Sequence, residues 1–168
     1  TITVTDANLC TKKTANITIS NPAVITASAL ITSNYNGSQV SCNGVSDGEI
    51  TVTASGGTGT LSYQLVEIPG NITGAATGVF TGVPAGTYTI TVTDENGCTE
   101  TTAPVTIVNP PVITASAAVT SNYNGSQISC FGASDGRLTV TASGGTGILS
   151  YALVEIPANV SGLITGVF

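Results

Sequence analysis

The chain has 168 residues, of which only 7% are charged, and its nine acidic side chains outnumber three basic ones. No Lys or Arg occurs between Lys13 and Arg137, so the chain lacks the cations that displace counterions from phosphates, which excludes nucleic acid as a partner. The same deficit excludes attachment to an anionic membrane surface, and the lack of any apolar run of about 18 residues argues against membrane insertion of this segment.

The chain repeats itself with a period of 88 residues. Residues 1–80 align with residues 89–168 without a gap, and 58 of the 80 aligned pairs are identical. A fixed period is typical of a tandem array in which each copy is one structural unit. We therefore expect one complete copy flanked by two partial ones.

Alternation of apolar and hydroxyl-bearing residues predicts a series of half-buried strands. In chain order, the apolar positions are Ile25, Ala27, Ala29 and Ile31; Ile50, Val52 and Ala54; Leu61, Tyr63 and Leu65; Tyr88, Ile90 and Val92; Val105 and Ile107. Clusters of turn-forming residues separate these runs, among them NYNG at 34–37 and DENG at 94–97. The pattern has no helical period, and it predicts an all-β fold of tandem immunoglobulin-like β-sandwich repeats.

Prolines mark the expected unit boundaries, because proline fixes φ and interrupts ladder hydrogen bonding. We predict that residues 1–20 are the C-terminal strands of a preceding repeat, that residues 21–109 are one complete repeat, and that residues 110–168 are the N-terminal part of a following repeat. About two residues then separate the last strand of one unit from the first strand of the next, so the joint is expected to be stiff.

Four cysteines fall into two classes under the 88-residue shift, Cys10 with Cys98 and Cys42 with Cys130. Regular spacing in a Thr-rich β protein favours disulfides and an oxidising compartment. We favour a bond between Cys42 and Cys98 within one unit, since closing a loop of about 56 residues stabilises a small domain by about 4 kcal/mol. The alternatives are bonds joining Cys10 with Cys42 and Cys98 with Cys130 across unit boundaries, or free buried thiols.

Three aspartates in Gly-containing loops are candidate Ca²⁺ ligands: Asp47, Asp94 and Asp135. No spaced run of further ligands accompanies them. We therefore expect that each carboxylate accepts backbone hydrogen bonds in its own turn and that the segment holds no metal.

Catalysis is not expected. The chain contains no His, so it lacks the usual general base and the nucleophile triads that depend on one. We expect no catalytic residues, no cofactor and no enzymatic role.

Two stretches resemble the SprB repeat of Bacteroidetes surface proteins, a family named for a gliding-motility adhesin. They are CNGVSDGEITVTASGGTGTLSY, from Cys42 to Tyr63, and VPAGTYTITVTDENGC, from Val83 to Cys98. The resemblance implies an exported, multi-repeat protein at the bacterial cell surface, carried by the type IX secretion route.

Together, the repeat and the resemblance predict a structural and adhesive segment that forms a stiff stalk or filament. Its expected partners are the neighbouring repeats and, in a filament, other copies of the chain; the surface or glycan ligand is not identified. An alternative is a glycan-binding accessory module of a secreted polysaccharide-degrading enzyme, although the chain has no Trp and only 5% aromatic residues. A surface-layer protein is a third possibility, differing from the first in side-by-side packing.

Overall fold

A computed structural model describes residues 1–156 and 161–168. These residues form strands and turns, with no helix among them, which confirms the all-β prediction. The described strands are β1 Thr3–Thr5, β2 Thr11–Lys13, β3 Ala23–Ile31, β4 Gly48–Gly57, β5 Ser62–Leu65, β6 Val79–Val83, β7 Gly86–Tyr88, β8 Ile90–Thr93, β9 Thr99–Thr101, β10 Val105–Ile107, β11 Thr114–Val119 and β12 Leu138–Ser143.

Strands β3 to β10 form one sandwich. It contains two three-stranded antiparallel sheets, with the orders β3-β4-β6 and β5-β8-β9, and a separate antiparallel pair formed by β7 and β10. These orders correspond to strands A-B-E and C-F-G of an immunoglobulin-like domain. The strand order therefore identifies an immunoglobulin-like sandwich.

The core of this sandwich consists of the side chains that the alternating pattern points inward. Ile50, Leu65, Ile90 and Val92 are fully buried, and Ile107 is nearly so. The predicted apolar face is thus confirmed for each of the runs between β3 and β10. Because side chains alternate between the two faces of a strand, the intervening Thr and Ser residues point mostly to solvent.

Two core contributions are not apparent from the alternation. Strand β6 contains the fully buried Phe80, but a bulge at Gly82, with φ of +68°, breaks its period-two pattern. Val40 is also fully buried although it lies in a polar loop between β3 and β4. Both were missed because an isolated apolar residue carries no periodic signal.

The flanking segments carry parts of the same fold. Strands β1 and β2 form an exposed hairpin, and β11 pairs with β12 in the register that β3 and β4 use 88 residues earlier. No described helix is long and apolar enough to cross a membrane.

Candidate functional site: the contact between consecutive repeats

The loop between β3 and β4, residues 32–47, is held in one conformation by its own side chains. A two-residue turn brings Tyr35 opposite Ser38, and Asn36 and Gly37 at its centre have φ of +52° and +91°. Both central residues of a type I′ turn require positive φ, which explains the Asn-Gly pair. The NYNG turn predicted from the sequence is therefore present.

Three hydrogen bonds link the two halves of this β3–β4 loop. The Ser33 hydroxyl donates to the Gln39 carbonyl at 2.7 Å, and the Tyr35 hydroxyl donates to the Asp47 carbonyl at 3.0 Å. The Ser41 N–H donates to the Asp47 carboxylate at 3.0 Å. With Val40 anchored in the core, the loop presents a fixed surface.

The second copy, residues 110–168, contains the same loop with the same hydrogen bonds. The Ser121 hydroxyl donates to the Gln127 carbonyl at 2.7 Å, and the Tyr123 hydroxyl donates to the Asp135 carbonyl at 3.2 Å. The Ser129 N–H donates to the Asp135 carboxylate at 3.1 Å, and bonds from Ser129 lower the pKa of Asp135. The sequence of the repeat therefore determines the geometry of this loop, and both copies adopt it.

The β3–β4 loop binds the linker that leads out of the sandwich. The Val108 N–H donates to the side-chain oxygen of Gln39 at 2.7 Å, and the side-chain amide of Asn43 donates to the Pro110 carbonyl at 3.1 Å. The Gly44 N–H donates to the side-chain oxygen of Asn109 at 3.2 Å. These bonds fix the direction in which the chain leaves the first sandwich.

The same loop also contacts the next copy directly. The Thr146 hydroxyl donates to the Ser41 carbonyl at 3.2 Å. Gly147, with φ of +75°, lies so close to Asn36 that an added Cβ would be 2.9 Å from its side-chain nitrogen. Residues of the β3–β4 loop thus meet the loop that follows β12.

The opposite end of the complete sandwich is organised by Asp94, in the turn between β8 and β9. Its carboxylate accepts N–H groups from Thr58 at 2.9 Å, Asn96 at 3.0 Å and Cys98 at 2.8 Å. The Thr58 and Cys98 bonds are the main causes that lower the pKa of Asp94, and the residue is only 5% exposed. A cavity of about 260 Å³ lies beside this turn and is lined by Asn21, Pro22 and Cys98, among others.

The three candidate calcium ligands do not converge. Asp47 and Asp94 lie at opposite ends of the sandwich, and Asp135 lies in the second copy. All three carboxylates accept backbone N–H groups, as expected for aspartates that shape their own turns. Within residues 1–156 and 161–168, no group of three His, Cys, Asp or Glu side chains is placed to hold a metal ion.

The cysteines are all free and exposed in this structure: Cys10, Cys42, Cys98 and Cys130. Cys42 precedes the start of β4. Cys98 lies near the other end of that strand, because its N–H and the N–H of Thr58, the residue that follows β4, bind the same Asp94 carboxylate. A strand of ten residues spans about 30 Å, far more than the Cα separation of about 4.4–6.8 Å in a disulfide. The favoured pair therefore lies at opposite ends of one sandwich.

The second predicted pairing meets the same obstacle. Cys10 and Cys98 occupy equivalent turns, as do Cys42 and Cys130 in their loops, and the cross-boundary pairs join the far ends of adjacent copies. The structure brings neither predicted pair together.

The residues that contact the linker, Gln39 and Asn43, were not singled out from the sequence. One available signal was the near identity of the two NYNG-containing segments, since surface loops usually vary. At position 131 the second copy has a fully exposed Phe where the first has Asn43.

Comparisons with known proteins show which protein family the repeated segments resemble. The SprB repeat family model matches residues 34–67 and 122–154, and the two matches begin 88 residues apart. A solved structure with a detectable likeness is an intimin mutant from EHEC O157:H7, with 18% identity and a TM-score of 0.39; the likeness covers 57% of this chain and about half, 52%, of that chain. A search of curated proteins found no match. Two segments of the chain, at equivalent positions of the 88-residue period, therefore match the SprB repeat.

Proposed function

We propose that this chain is a segment of an adhesin-type repeat protein of the bacterial cell surface, in which SprB repeats join end to end as a stiff stalk or filament. In this proposal residues 21–109 are one complete repeat, preceded and followed by others of its kind. Adhesion is then averaged over many copies or placed at a distal tip. No enzymatic activity is assigned to the segment.

The observation that carries the proposal is the set of hydrogen bonds that the β3–β4 loop makes to the linker and to the next copy. Gln39, Asn43 and Gly44 bind the linker, and Ser41 accepts a bond from Thr146 of the next copy. In a flexible array the linker would be solvated and would make few contacts with the domains. Here each repeat supports its neighbour, as in other quasi-one-dimensional arrays.

Low charge supports the same interpretation. With 7% charged residues, the segment has few groups for specific ionic recognition of a soluble partner. Its potential ligand-binding aromatics are also engaged locally, since the hydroxyls of Tyr35 and Tyr123 both donate within their own loops. Low charge and locally bonded tyrosines therefore favour a structural role over a glycan-binding role.

Small-angle X-ray scattering of the full chain tests joint stiffness. We expect an elongated particle of fixed length whose scattering fits a single conformation. The double variant Gln39→Ala/Asn43→Ala removes two linker contacts and should broaden the distribution of distances within the particle. Scattering from the unsubstituted chain that requires freely jointed sandwiches would contradict the proposal.

A matched control comes from the repeat itself. Gln127 is the counterpart of Gln39 in the second copy, and among the described residues its side chain makes no hydrogen bond to the linker at residues 108–110. Gln127→Ala should therefore leave the scattering unchanged. Equal effects of the Gln39 and Gln127 substitutions would show that the linker contacts do not set the stiffness.

The surface location and the export route belong to the same proposal. In cells that produce the parent protein, antibodies raised against this chain should label intact cells, and an added broad-specificity protease should remove the label. Deletion of a type IX secretion component should retain the protein inside the cell. A test of gliding then asks whether cells that lack the parent protein lose motility on a surface.

A further inference from the structure

The chain has two joints between copies, at residues 21–22 and 109–110, and they are equivalent under the 88-residue period. Contacts seen at one joint can therefore be transferred to the other. Asn21-Pro22 leads into the complete sandwich, and Asn109-Pro110 leads into the second copy in the same way. At the second joint the structure contains the β3–β4 loop of the repeat before. At the first joint it contains the β8–β9 turn of the repeat after.

One cysteine flanks the Asn-Pro linker from the side of the preceding repeat. Cys42 directly precedes Asn43, whose side-chain amide donates to the Pro110 carbonyl at 3.1 Å, and Gly44 donates to Asn109 at 3.2 Å. Cys42 directly follows Ser41, whose carbonyl accepts the Thr146 hydroxyl. Cys42 therefore lies in the chain between a residue that binds the following copy and a residue that binds the linker, and its side chain is exposed.

The other cysteine flanks the linker from the side of the following repeat. Cys98 lines the cavity of about 260 Å³ together with Asn21 and Pro22. Its N–H donates to the Asp94 carboxylate, which also accepts the N–H of Thr58. Thr58 is the counterpart of Thr146 under the period, and Thr146 contacts Ser41 at the other joint. Because Thr58 and Cys98 bind the same Asp94 carboxylate, the position of Cys98 lies close to the position that contacts the preceding repeat.

We propose that consecutive repeats are cross-linked by a disulfide between the β3–β4 loop cysteine of one repeat, the position of Cys42, and the β8–β9 turn cysteine of the next, the position of Cys98. The bond differs from both pairings considered from the sequence, because it joins the facing ends of two repeats rather than the far ends of one or two. The inference rests on the end-to-end array of the proposed function.

The chemistry is an ordinary thiol–disulfide exchange with a disulfide oxidant such as oxidised glutathione. Two cysteine thiols lose their protons and form one S–S bond, the S–S bond of the oxidant breaks, and two glutathione thiols take up the protons and electrons. Both cysteines are exposed, so an oxidant can reach them before the joint closes. An oxidising extracellular compartment preserves the product.

The test requires a chain that contains both partners. We would extend the full chain after Phe168 with a second copy of residues 81–109, which continues the period without a gap. After refolding with oxidised and reduced glutathione, blocking of free thiols and digestion with a glutamyl endopeptidase, mass spectrometry identifies the linked peptides. We expect a single disulfide, between Cys42 and the added copy of Cys98.

Serine substitutions resolve the assignment. Cys10→Ser leaves Cys42 as the one cysteine of its peptide, and Cys98→Ser in the original position leaves the added copy as the one source of the second peptide; the cross-link should persist in both. Cys42→Ser should abolish it. Cys130→Ser is the matched control, since it changes the same loop position one repeat later, and the cross-link should remain.

Two results would overturn the proposal: a bond between Cys42 and the original Cys98, or five free thiols after oxidation in a chain whose circular dichroism shows folded strands. Scattering from the reduced chain separates this outcome from failure of the array. An elongated, rigid particle with free thiols would refute the disulfide alone, whereas jointed sandwiches would refute the array as well.

Discussion

Backbone conformation at single turn positions decides what each copy of the repeat tolerates. Gly97, in the turn between β8 and β9, has φ of +81°, and the corresponding position of the first partial copy is Leu9, with φ of +64°. A residue with a Cβ in this conformation costs about 1–2 kcal/mol. The Leu9 turn is therefore strained relative to the Gly97 turn, although both close the same kind of hairpin.

Substitution of Gly97 isolates this backbone effect. An added Cβ at Gly97 meets no atom within 4 Å, so Gly97→Ala should lower the free energy of unfolding of the complete sandwich by about 1–2 kcal/mol through φ alone. Gly70 is the control: its surroundings are equally open, but its φ lies outside the left-handed region. Urea unfolding should show no loss for Gly70→Ala, and equal losses at both positions would contradict the explanation.

Asp94 makes the stability of the complete sandwich depend on pH. Its N–H donors, Thr58 first among them, hold its pKa below the ordinary value in the folded state. The stabilisation is therefore fully present above the unfolded pKa of about 3.9 and is lost as the pH falls through the lower folded pKa. Urea unfolding between pH 6 and pH 2 should show this decline.

The Asp94→Asn variant should be less stable at pH 6 and should show a shallower decline in acid. Asp6→Asn is its control, because Asp6 accepts the equivalent N–H groups of Asn8 and Cys10 in the separate β1–β2 hairpin. That change should leave the unfolding of the complete sandwich unaltered. An unchanged slope for Asp94→Asn would show that other carboxylates cause the acid dependence.

Strand β6 shows how much one element contributes to closing the sandwich. Phe80 is fully buried, and Gly74 lies so close to its ring that an added Cβ would be 2.7 Å away. Phe80→Ala should lower the free energy of unfolding by about 3–5 kcal/mol, since a buried aromatic leaves a cavity. Its counterpart Phe168 is only half-buried, so Phe168→Ala should cost clearly less. Similar losses for the two, measured by urea unfolding, would contradict the role assigned to β6.

On the scale of the whole molecule, the second copy has an uncovered apolar face. Leu138, Leu153 and Phe168, the counterparts of core residues in the first copy, line an open cavity of about 560 Å³. In the first copy, β7 to β10 cover the equivalent positions. Strands of this kind are therefore what the second copy needs in order to close.

Addition of residues 81–109 after Phe168 should supply these strands. Amide hydrogen exchange in β11 and β12 should slow by about a hundredfold, equivalent to about 3 kcal/mol, because opening then exposes a complete core. The same residues appended in scrambled order serve as the control and should give no protection. Unchanged exchange with the native order would show that the second copy does not use these strands.

The fold was largely predictable because period-two alternation depends on a local property, the two faces of a strand. The alternation did not predict the burial of Phe80, because the bulge at Gly82 shifts the register, or that of Val40, because it is a single apolar residue in a polar loop. The joint was not predictable in detail, since Gln39 and Val108 are far apart in sequence and meet only when the sandwich forms. The cysteine positions were not predictable for the same reason, since sequence spacing does not report which end of a sandwich a turn occupies; the four cysteines are free in this structure.

The chain enters β3 beside the Asp94 turn and leaves β10 beside the β3–β4 loop, at the opposite end of the sandwich. Tension applied through the two linkers would therefore act along the strands, in shear. In that direction the ladder hydrogen bonds between strands share the force and must break together, rather than one after another as in peeling. A tether built from such sandwiches would resist drag at a cell surface by the direction of its strands.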